Sequence, residues 1–180
     1  MKTIVLTLVA VFMMFSGQSQ IGHTQYAVLK TSDVEAFKTK TSSRALNANY
    51  LDKVLDHSMA VHVSALENRV AFFDVTKSRG FKKSKAHPFK VKFKTEKGYV
   101  EVFYDKDGTV IESKGRYKEV KLPRAVRISL FKTYEGFILL DSDYLVNYKN
   151  GSVEKLYYVK IGKGSDIKKI KMHADGTFIQ

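Results

Sequence analysis

Phe89-Lys90-Val91-Lys92-Phe93-Lys94 alternates residue by residue, setting Phe, Val and Phe on one side and three lysines on the other. Side chains of an extended chain point to opposite faces in turn, so this stretch reads as a half-buried antiparallel strand with a solvated back. Glu96-Lys97-Gly98 turns it into a second strand, Tyr99–Tyr104. Asp105-Lys106-Asp107-Gly108 then closes a type I turn on a left-handed Gly and leads into Thr109–Ser113.

Before this meander the period is 3.6. Leu46, Tyr50 and Val54 form one i, i+4 stripe and Val63, Leu66 and Val70 another, so helices are expected between Ser43 and Phe73, divided at His57-Ser58. Thr31-Ser32-Asp33 and Thr41-Ser42-Ser43 are suited to helix N-caps. After the meander, Pro123 fits a first helical turn, Val126, Leu130 and Tyr134 share a face, and Gly136 can end the helix with positive φ. Ile138–Tyr148 and Ser152–Ile161 meet across Asn150-Gly151, a strong hairpin signal. Ile167–Met172 and Thr177-Phe178-Ile179 complete the strands. Asp107-Gly108-Thr109 and Asp175-Gly176-Thr177 both close hairpins, and both strand sets follow helices. The expected fold is α+β: tandem helix-plus-antiparallel-meander repeats, about 43–115 and 116–180, forming one curved antiparallel sheet with helices on one face.

The first 19 residues carry the parts of a signal peptide. Lys2 is the positive start, Ile4 to Phe15 is uncharged, and Ser16-Gly17-Gln18-Ser19 offers small residues for a cut before Gln20. A buried N-terminal helix would show polar residues at a 3.6 period, and none occur. The apolar run is too short to span a bilayer, which needs about 20 residues. No Cys follows it to carry a lipid, and no second apolar stretch approaches membrane length, so the exported chain is expected to be soluble. Residues 20–42 read as a lead-in and 43–180 as one domain, in the periplasm or outside the cell.

The chain has no Cys. An exported domain without disulfides must stand on its core, and thiol chemistry is excluded. Formal charge is +13, from 31 basic and 18 acidic side chains. In the cytosol that would suggest nucleic acid. Export excludes it and turns attention to anionic lipid, polysaccharide or an acidic protein. The plain alternative is that lysines solvate the outside of a sheet.

The residues Gly98–Gly108, then Arg116-Tyr117-Lys118-Glu119-Val120-Lys121-Leu122-Pro123-Arg124-Ala125-Val126-Arg127, resemble the PepSY-like, β-lactamase-inhibitor-like proteins of bacterial envelopes. Tyr134-Glu135-Gly136 and Asp143–Tyr148 continue the likeness, and Asn47–Leu51 with Phe73–Ser78 look like its earlier landmarks. It covers about residues 45–175. Pro commonly stands in that family where this chain has Glu135. The resemblance implies an exported protein of tandem α/β repeats with a concave sheet, no established activity and a capacity to bind proteins.

Catalytic and metal signatures are absent from the sequence. The histidines His23, His57, His62, His87 and His173 form no HExxH or HxH arrangement. Asp105, Asp107 and Glu112 lack the spacing of a calcium loop. Gly162-Lys163-Gly164-Ser165 is not a phosphate loop, and GxSxG, SxxK and GxGxxG do not occur. The sequence therefore reads as a non-enzymatic binding protein without cofactor or metal, acting through an open sheet face on an envelope protein or peptide. The candidate surface is Lys90, Lys92, Lys94, Tyr99, Phe103, Tyr157, Tyr158, Lys169 and Lys171, with Tyr157 and Tyr158 on opposite faces. A basic stripe follows if the two lysine strands are neighbours, and it supplies the second reading, a basic envelope module binding anionic lipid or polysaccharide.

Overall fold

A computed structural model describes residues 25–28, 45–56, 59–84 and 87–179. The signal-peptide segment, the two N-cap clusters, His23, His57 and the His57-Ser58 divider lie outside the described residues.

Eight strands form one sheet in sequence order. Strands β2 (Phe89–Thr95), β3 (Gly98–Tyr104), β4 (Val110–Lys118), β5 (Ile138–Lys149), β6 (Ser152–Lys163), β7 (Asp166–His173) and β8 (Phe178–Ile179) make an open antiparallel meander. Strand β1 (Gln25–Val28) runs parallel to β2 at its edge. Helices α1 (Ala48–Val54), α2 (Val61–Phe72) and α3 (Arg79–Lys83), with a 3₁₀ turn at Val75–Lys77, precede β2, and α4 (Arg124–Thr133) lies between β4 and β5.

The helices share one face of this sheet. Alternation puts Phe89, Val91 and Phe93, then Val100, Val102 and Tyr104, then Tyr144, Val146 and Tyr148 on that face, all buried in one core with Tyr50, Val63, Leu66, Val70, Val126 and Leu130. Tyr50 of α1 meets Tyr148 edge-on, Phe73 meets Phe93, and Phe81 of α3 meets Phe89. Offset and edge-on ring contacts of this kind add to simple area burial. Helix α4 covers the far end, where Tyr134 packs on Phe178 and Ser129 stands against Gly176.

The turns follow their residues. Asn150 and Gly151 both have positive φ, and Gly108 and Gly176 take φ of 83° and 91°. Asp105 Oδ1 accepts from the Asp107 and Thr109 amides, and Asp175 Oδ1 from Thr177, so each carboxylate holds its own turn.

Three expectations are corrected. Leu46 precedes α1 and is exposed, so it does not extend the Tyr50–Val54 stripe. Pro123 caps α4 in an extended conformation, and the helix begins at Arg124. Strand β4 runs on past Ser113 to Lys118. Lys114-Gly115-Arg116 obscures it because Gly115 has no side chain to show which face it takes.

Gly115 takes the core face, opposite Val100 and Val146. A Cβ there would stand 2.8 Å from Val146 Cγ1, 3.0 Å from a Tyr117 ring carbon and 3.4 Å from Glu67 Oε1. Gly115→Ala is therefore expected to destabilise the domain by about 1–3 kcal/mol, the usual cost of overpacking. Urea unfolding measures it; a midpoint equal to that of the parent would show that the pocket has room to spare.

Candidate functional site

Two places carry chemistry beyond apolar packing: a carboxyl inside the core and the helix-free face of the sheet.

Glu67 is fully buried on α2. It lies four residues after Val63 and three before Val70, so helical geometry turns it inward with them. The Tyr117 hydroxyl of β4 donates to its Oε1 at 2.5 Å, and the Tyr50 hydroxyl of α1 donates to its Oε2. Burial raises the Glu67 carboxyl above its usual range, against the lowering effect of the two phenol donors and of Lys155. Burial likewise raises the phenols of Tyr50 and Tyr117, with the adjacent Glu67 adding to it. Beyond this centre, Tyr117, Tyr144 and Tyr157 follow one another across β4, β5 and β6, with ring centroids 6.2 and 4.9 Å apart. The Tyr144 hydroxyl and Ser113 Oγ are buried without hydrogen-bond partners. The carboxyl is fully buried, and its two hydrogen bonds join α1, α2 and β4.

Sequence reading missed Glu67, although its signal was present: a lone acid at the i+4 position of an otherwise apolar stripe. Among the described residues, no three His, Asp or Glu side chains gather as metal ligands. His62 Nε2 lies 3.1 Å from the Lys118 carbonyl, and burial holds its imidazole below the usual range.

The helix-free face holds most of the predicted surface in two separate groups. Lys90, Lys92 and Lys94 of β2 stand beside Tyr99 and Phe103 of β3, as read from the alternation. Lys90 and Lys92 are not free cations. Glu101 receives Lys90 at 2.8 Å and Lys92 at 3.0 Å, and these contacts hold its carboxylate below the usual range. Lys92 also lies 4.1 Å from the Tyr99 ring centre. Lys114 pairs with Glu112, and Arg116 with Asp143 at 2.6 Å. Over β2–β4, Lys90, Lys92, Lys114 and Arg116 are thus engaged by acids of the sheet, while Lys94 has no ion-pair partner among the described residues and the face stays basic.

Tyr158, Lys169 and Lys171 form the second group, on β6 and β7. Four strands separate β2 from β7, about 24 Å at the usual strand spacing, so no continuous basic stripe exists. Tyr158 is 40% exposed, with Lys171 Nζ 5.6 Å from its ring centre. Tyr157 is not a surface residue: it is 5% exposed, faces the helices beside Tyr144, and burial pushes its phenol up to about 12. Sequence reading also missed the aliphatic side chains next to this group. Ile138 and Ile167 flank Gly162 across β5, β6 and β7 on the helix-free face, and both are exposed.

Compared with family models, curated proteins and solved structures, the chain matches none.

Glu67 predicts a particular pH dependence. Its folded pKa is raised, so its contribution to stability is complete below the unfolded value of about 4.3 and is lost as pH rises through the folded value. Glu67→Gln imitates the neutral acid. Relative to this variant the parent should lose stability as pH rises above the unfolded value, across the range in which the domain stays folded, read from urea midpoints at each pH; a constant difference would contradict the assignment. Glu67→Ala, which leaves both phenols without an acceptor, should cost roughly 2–4 kcal/mol at any pH in that range.

Proposed function

We propose that this chain is an exported, non-enzymatic binding protein that acts through its open sheet face on a protein or peptide of the bacterial envelope. The observation that carries the reading is the one-sided placement of the helices: among the described residues they pack on a single face and leave the other without a helix from β2 to β7. Within that face the β5–β7 part offers Tyr158 and Lys171 to a partner, while over β2–β3 Glu101 engages Lys90 and Lys92. An exposed Tyr beside cations is the composition that binding surfaces favour.

Three further points support it. The opening segment has the make-up of a signal peptide. The order of elements, helices then β2–β4 followed by α4 then β5–β8, is what a tandem repeat of the PepSY-like, inhibitor-like kind would give. Glu67, the one buried acid among the described residues, is held between two tyrosine hydroxyls inside the core. No helix among the described residues is long and apolar enough to cross a membrane.

Capture from envelope extract on the immobilised protein tests the reading. Tyr158→Ala with Lys171→Ala should abolish retention of the partner, whereas Lys92→Ala should leave it within about two-fold, as expected of a rim charge. Retention indifferent to the Tyr158 and Lys171 changes would remove the sheet face as the site.

A further inference from the structure

The end of the sheet where β5 starts, β6 stops and β7 starts is unlike the rest of the surface. Ile138 is 65% exposed and Ile167 54%, with Leu139 and Leu140 close behind. These four residues do not share a face. Ile138 and Ile167 lie in one row with Gly162 on the helix-free side, whereas Leu139 lies with Ile161 and Lys168 on the helix side. The register shifts between Leu139 and Asp141, leaving Leu140 as the extra residue of a bulge. Leu140 folds over Gly162, where a Cβ would stand 2.9 Å from its Cδ1. Aliphatic side chains therefore surround the tip on both sides.

Lysines form a collar behind them. Lys160 stands opposite Lys169 on one side, a like-charge pairing that costs stability in a sheet, and opposite Asp141 on the other, without a salt bridge to it. Neither has an ion-pair partner among the described residues. On the helix side Lys163 and Lys168 lie over the half-buried Phe137 ring, 6.0 and 5.6 Å from its centre. Only Lys168 among the four pairs with an acid, Asp166 at 3.2 Å.

From this arrangement we infer that the β5–β7 end of the sheet is a docking tip for an anionic phospholipid surface. Charge complementarity points to an anionic occupant, because unpaired Lys160 and Lys169 sit where they could reach phosphates above the aliphatic groups. Long lysine stems lie along apolar surface while their heads reach the headgroup layer. A fluid phase is favoured over a folded partner for two reasons. A single rigid surface would not cover aliphatic groups on both sides of a sheet end, and lipid would. The exposed aliphatic side chains are also few, Ile138, Leu139, Leu140 and Ile167, against the roughly 20–30 residues a side of a stable protein interface. Tyr158 and Lys171 lie further along the same strands, so docking by the tip would leave them accessible. The inference does not depend on the protein-binding reading.

The absence of Cys allows a local test on the full chain. Ser165→Cys, in the turn at the tip, and Lys106→Cys, in the β3–β4 turn at the opposite end of the sheet, each carry an environment-sensitive dye. Vesicles of phosphatidylcholine and phosphatidylglycerol in equal parts should blue-shift the dye at 165 and raise its emission several-fold, and leave the dye at 106 unchanged. Vesicles of phosphatidylcholine alone should do neither. Ile138→Ser with Ile167→Ser, and separately Lys160→Glu with Lys169→Glu, change exposed positions and should each reduce the response several-fold with unaltered circular dichroism. Salt should weaken it, since exposed charges are screened over about 8 Å at physiological ionic strength. No response at 165, an equal response at 106, or one indifferent to both double variants overturns the inference; partner capture through Tyr158 would be unaffected by any of these results.

Discussion

Two tyrosine hydroxyls from different elements close on one buried carboxyl, and the rest of the structure is arranged around that fact. Glu67 comes from α2, Tyr50 from α1 and Tyr117 from β4, so their hydrogen bonds join three elements that apolar contact alone would leave free to slide. A buried carboxyl without partners would be very costly, and satisfied on both oxygens it becomes a specific joint. The joint also dictates a vacancy: Gly115 must lack a side chain, because a Cβ would crowd Val146 and Tyr117 and approach Glu67. The neighbouring Ser113 and Tyr144 hydroxyls show the opposite condition, polar groups buried in the same layer without partners. Stability in this cysteine-free chain thus rests on a core that carries polar groups at its centre.

That centre consumes the tyrosines that a sequence reader would otherwise assign to a binding surface. Tyr50, Tyr104, Tyr117, Tyr144 and Tyr157 all face the helices. Tyr158 and Tyr99 remain on the other face, and Tyr99 is covered by Lys92. Glu101 is equally decisive there, because it draws two lysines onto itself and removes them from the pool available to a partner. Charge pairing of Lys90, Lys92, Lys114 and Arg116 on β2–β4, and its absence at Lys160 and Lys169, make the two halves of one sheet face unlike.

The sheet was legible because period-two alternation and Asn-Gly or Asp-Gly turns are local signals. Phe89–Lys94, Asn150-Gly151 and Asp175-Gly176 specify strands and reversals without reference to the rest of the chain. The helical stripe at Val63, Leu66 and Val70 was legible for the same reason. Strand order was not: whether β2 and β7 touch depends on long-range pairing, and a lysine stripe drawn from alternation alone was free to assume it. Strand β4 was cut short at Ser113 because its meaning at Gly115 lies in a side chain 48 positions earlier in the chain. Glu67 was passed over for the converse reason, since an acid on a helix is ordinarily a surface residue and only its two distant phenols make it a core one. Pairwise partners far apart in sequence are what local patterns leave out.

Ile138-Leu139-Leu140 shows how such a local pattern can conceal a functional feature. Three aliphatic residues at the start of a strand read as core, and unbroken alternation back from Tyr144 and Ser142 would put Leu140 and Ile138 on the helix side. The bulge at Leu140 breaks that alternation, turning only Leu139 toward the helix side and leaving Ile138 and Leu140 on the bare one. Exposing apolar surface costs about 25 cal/mol per Å² relative to burying it, so such a patch is an expense with no folding return. The same end of the sheet sets Lys160 against Lys169, a second unfavourable arrangement. Two unfavourable features meeting at one tip are better accounted for by something that binds there than by folding, because an anionic, apolar-cored surface relieves both.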